Sequence, residues 1–498
     1  MAHHWRWTLL PILVALALFA HAVPDAGFIA DDTFNLSEHA RHGDIAGEWT
    51  TPTYAHAGGE RGHIWRPIPA SIQHIAAIGF GRSGSVFRAL NLLVHLVNVW
   101  LVMLVARTWG AHFKTAALAG LIWTTHSSMP EAVCWNSDIY DLLATTVMLG
   151  GLTLIGQKPT VFYWPALALI ALIGCLCKES GLALIPAFCI LIAHRHGGRN
   201  GLKAAAALGL GGGVYWMWHR HITAQGYVDA LVDGTATSIL DAWLMAVGWI
   251  AYAPSRAPMA HLFDRIADAH EVWIGVGVVL LLCMCAADQY RRRPEQRVFA
   301  LALVCTGILL IPAAVGIPFI GVAPLRYIYM PFALLVAMGA CTWASEPNRN
   351  WVVGLLFICT LGSTRILARV PAFHSDITLW SAELKAEPNN PYAAGSLARA
   401  LIATGKPNEG IKVWAHAIEN APDGIRVFDR ANERWLLAQT AFMKRRPGIA
   451  LREVNKLINE SNQKEQALPP MAHCLRADSL DALGRTVEAS AAGRLCRY

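Results

Sequence analysis

Residues 9–36 read "LLPILVALALFAHAVPDAGFIADDTFNL", an apolar run that ends near Pro24 and gives way within a few residues to two adjacent acids, Asp31 and Asp32. The run approaches the ~20 residues that a helix needs to cross a bilayer. It also has the apolar core and small-x-small ending, Ala20 and Ala22, of a cleavable signal peptide. A retained span is the preferred reading, because many further apolar runs follow. Under either reading Asp31 lies outside the cytoplasm.

Composition sets the same class. Of 498 residues, 55% are hydrophobic and 15% charged, and the mean hydropathy is +0.38, too apolar for an ordinary water-soluble fold. The excess lies in residues 1 to about 367, whereas 368–498 alternate charged and apolar residues as a soluble helical domain does. We therefore expect an all-α chain. Residues 1–370 form a polytopic membrane bundle with a first outer loop at 25–84, and 371–498 form a soluble helical domain joined near Pro371. Many residues of the formal +7 charge sit in short loops between apolar runs, where they read as topology signals. Without a basic-aromatic stripe, nucleic acid is not an expected partner.

With the start inside, spans near 7–24, 85–106, 113–129, 140–156, 161–177, 180–194 and 201–218 put Arg107 with Lys114, Lys158, and "HRHGGRN" (194–200) on the cytoplasmic side. The run 272–287 ends in "RRRPEQR", which must also be cytoplasmic, so 220–271 begins and ends outside. The stretch 236–253 then reads as an interfacial or re-entrant helix. Spans near 298–316, 327–343 and 350–367 bring the count to about eleven and leave the C-terminal domain on the same side as the diacid.

That domain carries a repeat. "PYAAGSLARALIATGKPNEGIKVWAHAIENAP" sets Leu397, Ala398, Leu401, Gly405, Gly410, Trp414, Ala417 and Pro422 at the packing positions of a 34-residue helix-turn-helix unit. It looks like a tetratricopeptide repeat, with a generic stack of helical hairpins as the alternative. "ADSLDALGRTVEASAAG" repeats the spacing through Ala477, Leu480, Gly484 and Ala489, whereas 425–470 matches poorly. Such stacks make concave protein-binding surfaces. Nine of the eleven cysteines lie in or beside apolar helices, where they act as small apolar residues. Cys474 and Cys496 are the exceptions. Helices at 471–483 and 486–497, hinged at Gly484-Arg485, would bring them level in an oxidising compartment. A disulfide and two reduced packing cysteines are both consistent with that spacing. No His/Cys spacing reads as a zinc site.

By this topology Asp31, Asp32, Arg66, His126, Glu131, Lys178, Glu179 and Arg326 fall at or near the outer ends of spans. Ionisable groups there are costly unless they pair, face water or bind something, so their clustering marks a functional site. Lys178 and Glu179 alone would also read as a snorkelling pair. Together the set suits a site where Arg and Lys hold a lipid phosphate and a carboxylate takes a proton from a hydroxyl.

The run "IWRPIP" followed by "FRALNLLVHLVNVWLVMLV", with Arg66-Pro67, Asn91, His95 and Asn98, resembles the transmembrane and tetratricopeptide-repeat O-mannosyltransferases and their bacterial relatives. So do "HSSMPEAVCWNSDIYDLLA" with His126, Glu131, Trp135 and Asp141, "CKES" at 177–180 and "LRYIYMP" at 325–331. The resemblance covers nearly the whole chain in order and implies a GT-C glycosyltransferase. It implies that Asp31 and Asp32 are the essential acid pair of the first outer loop. The chain departs from the pattern at His126-Ser127, in lacking a basic residue before Asp141, and at Pro324-Leu325. These departures leave the sugar and the acceptor open.

The resemblance further implies inverting transfer from a polyprenyl-phosphate sugar to a hydroxyl acceptor, a protein Ser or Thr above all. Asp31 is the expected base, with Asp32 orienting the acceptor or sharing the role. Arg326, Lys178 and Arg66 are the expected donor-phosphate residues, and His126, Glu131, Glu179 and His95 the supporting polar ones. No metal site is assigned, although a diacid is compatible with a divalent ion. The expected partners are the lipid-linked donor, membrane lipid and an acceptor protein met through the repeat domain. In a bacterium the diacid loop and repeats would face the periplasm. A non-catalytic membrane scaffold presenting the repeats would leave Asp31, Asp32 and Arg326 without a task. A transporter would place its charges at the midplane of broken helices.

Overall fold

The computed structural model describes residues 5–32, 36, 45–53, 64–223, 236–251, 259, 261–262, 270–292, 297–342, 347–422, 425, 427–464, 468–469 and 471–496. Residues 293–296 of the basic run used for topology, and much of 220–271, lie outside them. The chain divides into two compact units, Met1–Thr378 and Leu379–Tyr498. The division falls beyond Pro371 because the 3-10 segment Val370–His374 still buries Val370 and Phe373.

The first unit is a helical bundle. The Gly84–Thr108 helix is capped by the Ser83 side chain, which accepts from the Val86 amide, and is apolar over 25 residues. Among the described residues five helices are long and apolar enough to cross a membrane: Gly84–Thr108, Asn136–Ile155, Arg297–Pro318, Leu325–Thr342 and Arg349–His374. The chain is a multi-pass membrane protein. Several expected spans form shorter helices, with 12 residues in Phe113–Thr124, 15 in Tyr163–Cys177 and 13 in Leu184–His196. These fall below the ~20 residues of a straight crossing. The stretch expected to lie at the interface is a 16-residue helix, Ala236–Ala251. One of its faces, with Ala242, Met245, Ala246 and Trp249, packs on Leu310, Ala314 and Ile317. A two-residue antiparallel pairing, His261–Leu262 with Val322–Ala323, is the exception to all-helical structure among the described residues.

The segment read as the first outer loop contains a 14-residue helix, Pro67–Phe80. Pro67 starts it, where its missing N–H costs nothing, and Gly81 ends it at φ +92°. Its Ile75, Ile78 and Phe80 are exposed, the surface of a helix that lies in an apolar or interfacial setting.

The second unit is built from helical hairpins: Pro391–Ala403 with Pro407–Asn420, Arg430–Met443 with Pro447–Lys464, and Ala472–Asp481 with Thr486–Gly493. The segment 425–470, a poor match to the repeat, therefore makes a hairpin like its neighbours. All three turns close with one six-residue bond pattern, in which Lys406 N reaches Leu401 O at 2.8 Å, Arg446 N reaches Ala441 O at 2.9 Å and Arg485 N reaches Leu480 O at 2.9 Å. The left-handed residue of each turn is Gly405, Arg445 and Gly484. Cys474 and Cys496 are joined by a disulfide with a Cα separation of 4.7 Å, although the last helix stops at Gly493.

Candidate active site

The site is organised by a polar stripe on the Gly84–Thr108 helix. Arg88, Asn91, His95 and Asn98 follow one another at steps of three, four and three residues, which puts them on one face, and all four are buried. Arg88 Nε donates to Asn136 Oδ1 at 3.2 Å and Nη1 to Ala22 O at 3.3 Å. Asn91 Nδ2 donates to Trp135 O at 2.7 Å, and Asn98 Nδ2 to Leu142 O at 2.9 Å. Apolar neighbours cannot replace these bonds, so the stripe fixes residues 135–142 against the helix.

The fixed segment bonds Asp32 and two of the cations. Asp32 is fully buried. Its Oδ1 accepts from Ser137 N at 2.9 Å and Ser137 Oγ at 2.6 Å, and its Oδ2 from Ile29 N at 3.0 Å. Burial raises its carboxyl to about 7; the bonds from Ser137 and Ile29 and the charge of Arg88 oppose the rise, and Asp31 adds to it. Asp31, next to it, is partly exposed. The two acids therefore differ in setting, Asp32 buried and hydrogen-bonded and Asp31 partly exposed.

One residue beyond Ser137, Asp138 Oδ1 lies 3.3 Å from Arg326 Nε. Arg326 Nη1 donates to Glu131 Oε1 at 2.5 Å, its backbone N donates to Glu131 Oε2 at 3.2 Å, and its Nε is 3.9 Å from Asp141 Oδ2. Its guanidinium lies over the Trp135 ring, 4.1 Å from the centroid. Lys178 Nζ donates to Asp141 Oδ1 at 2.5 Å and lies over Tyr327. Three carboxylates thus surround two cations. Arg66 grips Glu179 through two of its nitrogens, Nε at 2.9 Å and Nη2 at 2.7 Å from Oε2. Burial alone would raise Glu179, but the Arg66 charge and bond hold it below the usual carboxylate range.

Asp32, Glu131, Lys178 and Arg326 therefore meet along the Asn136–Asp138 turn and its neighbours, with Asp31 adjacent to Asp32 in the chain and the Arg66–Glu179 pair one residue from Lys178. Two expected supporting residues make their bonds inside the bundle. His95 Nδ1 bonds Tyr329 Oη at 2.8 Å and Nε2 bonds Thr124 Oγ1 at 3.0 Å, so both ring nitrogens clasp helices inside the bundle. His126 Nδ1 bonds Ser128 Oγ at 2.8 Å, with its ring against Phe332. Asp138, Ser137 and Arg88 were missed as site residues, although Arg88 starts the helical stripe and Asp138 sits three residues before Asp141. Among the described residues no three His, Cys, Asp or Glu side chains converge as metal ligands.

No family model matches the chain. Over 186 residues, 34% of its length, it is 26% identical to the protein O-mannosyl-transferase Tmtc1 of Drosophila melanogaster. The chain is similar to that protein. The match spans 21% of the relative's own length, about a fifth of it. The crystal structure of ArnT from Cupriavidus metallidurans bound to undecaprenyl phosphate aligns over 82% of this chain and 75% of its own, with a TM-score of 0.40 and 18% identity. The apo ArnT structure covers 82% and 74%, with a TM-score of 0.42 and 16% identity.

Proposed function

We propose that the chain is a membrane glycosyltransferase of the GT-C type. It moves a sugar from a polyprenyl-phosphate carrier to a hydroxyl acceptor, a protein Ser or Thr above all, with inversion at the anomeric carbon. The observation that carries this reading is the Asn136–Asp138 turn, which bonds the buried acid Asp32 on one side and the Arg326 carboxylate cluster on the other. The turn thereby holds the immediate neighbour of Asp31, our proton acceptor, together with Arg326, our phosphate-binding cation. The similarity to a protein O-mannosyl-transferase supports the reaction class.

Asp31 takes the proton as the acceptor oxygen attacks the anomeric carbon. The bond from that carbon to the phosphate oxygen breaks, and polyprenyl phosphate leaves with the electron pair. Negative charge grows on the leaving phosphate, so Arg326 and Lys178 lower the barrier by being in place before it grows. Their present partners, Asp138 and Asp141, lie at the longer distances from Arg326, and these are the contacts a phosphate oxygen would replace. The charges of the short loops support a non-cytoplasmic site, which in a bacterium is the periplasmic face, and the hairpin unit is the surface that meets an acceptor protein.

The test is transfer by purified protein in lipid discs from a panel of polyprenyl-phosphate sugars, with products identified by mass spectrometry. Release of polyprenyl phosphate together with a glycosylated hydroxyl is expected. Lack of any release across the panel, from protein whose fold is intact, would sink the transferase reading.

A further inference from the structure

Ala30, immediately before Asp31, has a left-handed backbone at φ +53°. A residue with a Cβ adopts that conformation at a cost and needs something to hold it there. The hydrogen-bond donor of Ala30 is its backbone amide, which donates to Asp376 Oδ1 at 2.6 Å. Asp376 lies 346 residues further along the chain, at the first position of the Asp376–Ala386 helix. A second tie runs beside it, from Gly27 N to His374 O at 3.0 Å. A side chain at position 27 would already press on that carbonyl, since an added Cβ would stand 3.0 Å from His374 O.

The segment that supplies both ties is itself fixed. Arg369, buried, donates through Nη1 to Ser127 O at 2.8 Å, and Phe373 is wholly buried. A Cβ on Gly362 would lie 2.0 Å from Thr125 O, so the Arg349–Arg369 helix meets that backbone with no room to shift. Beyond His374, Ser375 and Thr378 cap the next helix reciprocally: Ser375 N donates to Thr378 Oγ1 at 2.9 Å and Thr378 N to Ser375 Oγ at 3.3 Å. That box sets where the first helical residue, Asp376, stands.

We infer that Asp376 is a positioning residue for the acid pair: its carboxylate holds the Ala30 amide so that Asp31 is presented between two pinned neighbours. On the other side of Asp31, Asp32 is pinned by Ser137. The catalytic meaning of this placement rests on the transferase reading, whereas the placement itself does not. A short bond between an amide and a carboxylate is charge-assisted and directional, and a loss of register of about 1 Å in a reacting group costs on the order of 10²-fold in rate.

Two measurements on the full chain in lipid discs separate these. Hydrogen exchange resolved to the Ala30 amide should show protection in the wild type. Asp376→Ala should speed that amide at least tenfold, and Asp376→Asn, whose oxygen still accepts, should restore it. A fast Ala30 amide in the wild type, unchanged protection in Asp376→Ala, or Asp376→Asn behaving as Asp376→Ala each overturns the inference, whatever the reaction. In the transfer assay Asp376→Ala should lower kcat 10- to 100-fold with little change in KM for the lipid-linked sugar, and Asp376→Asn should recover it. Loss of amide protection with an unchanged kcat also overturns the positioning role. Absence of transfer by the wild type sinks the transferase reading alone, and the amide result still decides the placement.

Discussion

Ser137 holds Asp32 through two bonds to a single carboxylate oxygen, from its amide at 2.9 Å and its hydroxyl at 2.6 Å. The anchored acid and its partly exposed neighbour should therefore respond differently to substitution. Asp31→Asn keeps the volume and loses the base, so transfer should fall by about 10²–10⁴ with expression and heat stability close to wild type. Ser137→Ala should lower stability by about 1 kcal/mol, the scale of one hydrogen bond, with a partial loss of rate. Thermal melts alongside rate measurements check the split, and wild-type transfer by Asp31→Asn would remove it from the reaction.

The buried carboxyl of Asp32 also gives a pH signature. It keeps its proton up to about 7 in the folded chain, against the ordinary value of 3.8. Between those two values the folded state binds more protons than the unfolded one, so its contribution to stability is complete below 3.8, falls as pH rises, and is lost above about 7. The melting temperature of the wild type relative to Asp32→Asn should accordingly decline from pH 4 to pH 7 and level off above it. A difference that stays flat across that range would mean the carboxyl titrates in the ordinary range.

Arg326 bonds Glu131 while its guanidinium lies over Trp135. A planar fork can keep both contacts and still offer an edge to a phosphate, which an ammonium cannot do. Arg326→Lys should raise KM for the lipid-linked donor about tenfold or more with the charge preserved, and Lys178→Ala should act in the same direction. Donor saturation curves decide this. An unshifted curve for Arg326→Lys would confine the residue to its ion pairs.

The acids and cations of the site were legible because charged residues at the ends of apolar runs need a reason to be there. Their partners were not. Arg326 and Glu131 stand 195 residues apart, and they meet where the Leu325–Ile328 segment packs on the Met129–Cys134 helix. Helix packing also hid the work of His95, which reads as a site residue by type but spends both nitrogens between helices. The Pro67–Phe80 helix did carry a signal, an apolar stretch opened by proline and closed by glycine, which the two hydrophilic stretches before it obscured.

Arg445 explains the hidden hairpin at 425–470. It occupies the left-handed turn position that glycine holds at 405 and 484, so the glycine that marks the repeat is absent although the turn is the same. Such a conformation costs a residue with a Cβ about 1 kcal/mol relative to glycine. Arg445→Gly should therefore stabilise the chain by about 1 kcal/mol, and Gly405→Ala and Gly484→Ala should destabilise it by a similar amount. Thermal melts of the three variants test this, and a lower melting temperature for Arg445→Gly would contradict the equivalence of the turns.

The Cys474–Cys496 bond closes a loop across the last hairpin, with a sequence separation of 22. The spacing reading placed the two cysteines level across antiparallel helices. The observed last helix ends at Gly493, and the chain after it turns to bring Cys496 to a Cα separation of 4.7 Å, within the range a disulfide needs. The hairpin shares a small core with the preceding one, in which Leu480 and Ala492 pack with Leu451. Loop closure of this size contributes about 3 kcal/mol by restricting the unfolded chain. Cys474→Ser with Cys496→Ser should therefore lower the stability of the last hairpin by a few kcal/mol, and protease cleavage between 471 and 496 should appear first in that variant. The bond itself is checked by alkylating unreduced, denatured protein taken from its own compartment and mapping the peptides. Both thiols should resist alkylation until reductant is added. Modification of both without reductant would show the pair reduced, and the terminal hairpin would then be held by its packing on the preceding one, through Ala472 and Leu475 and through Leu480 and Ala492.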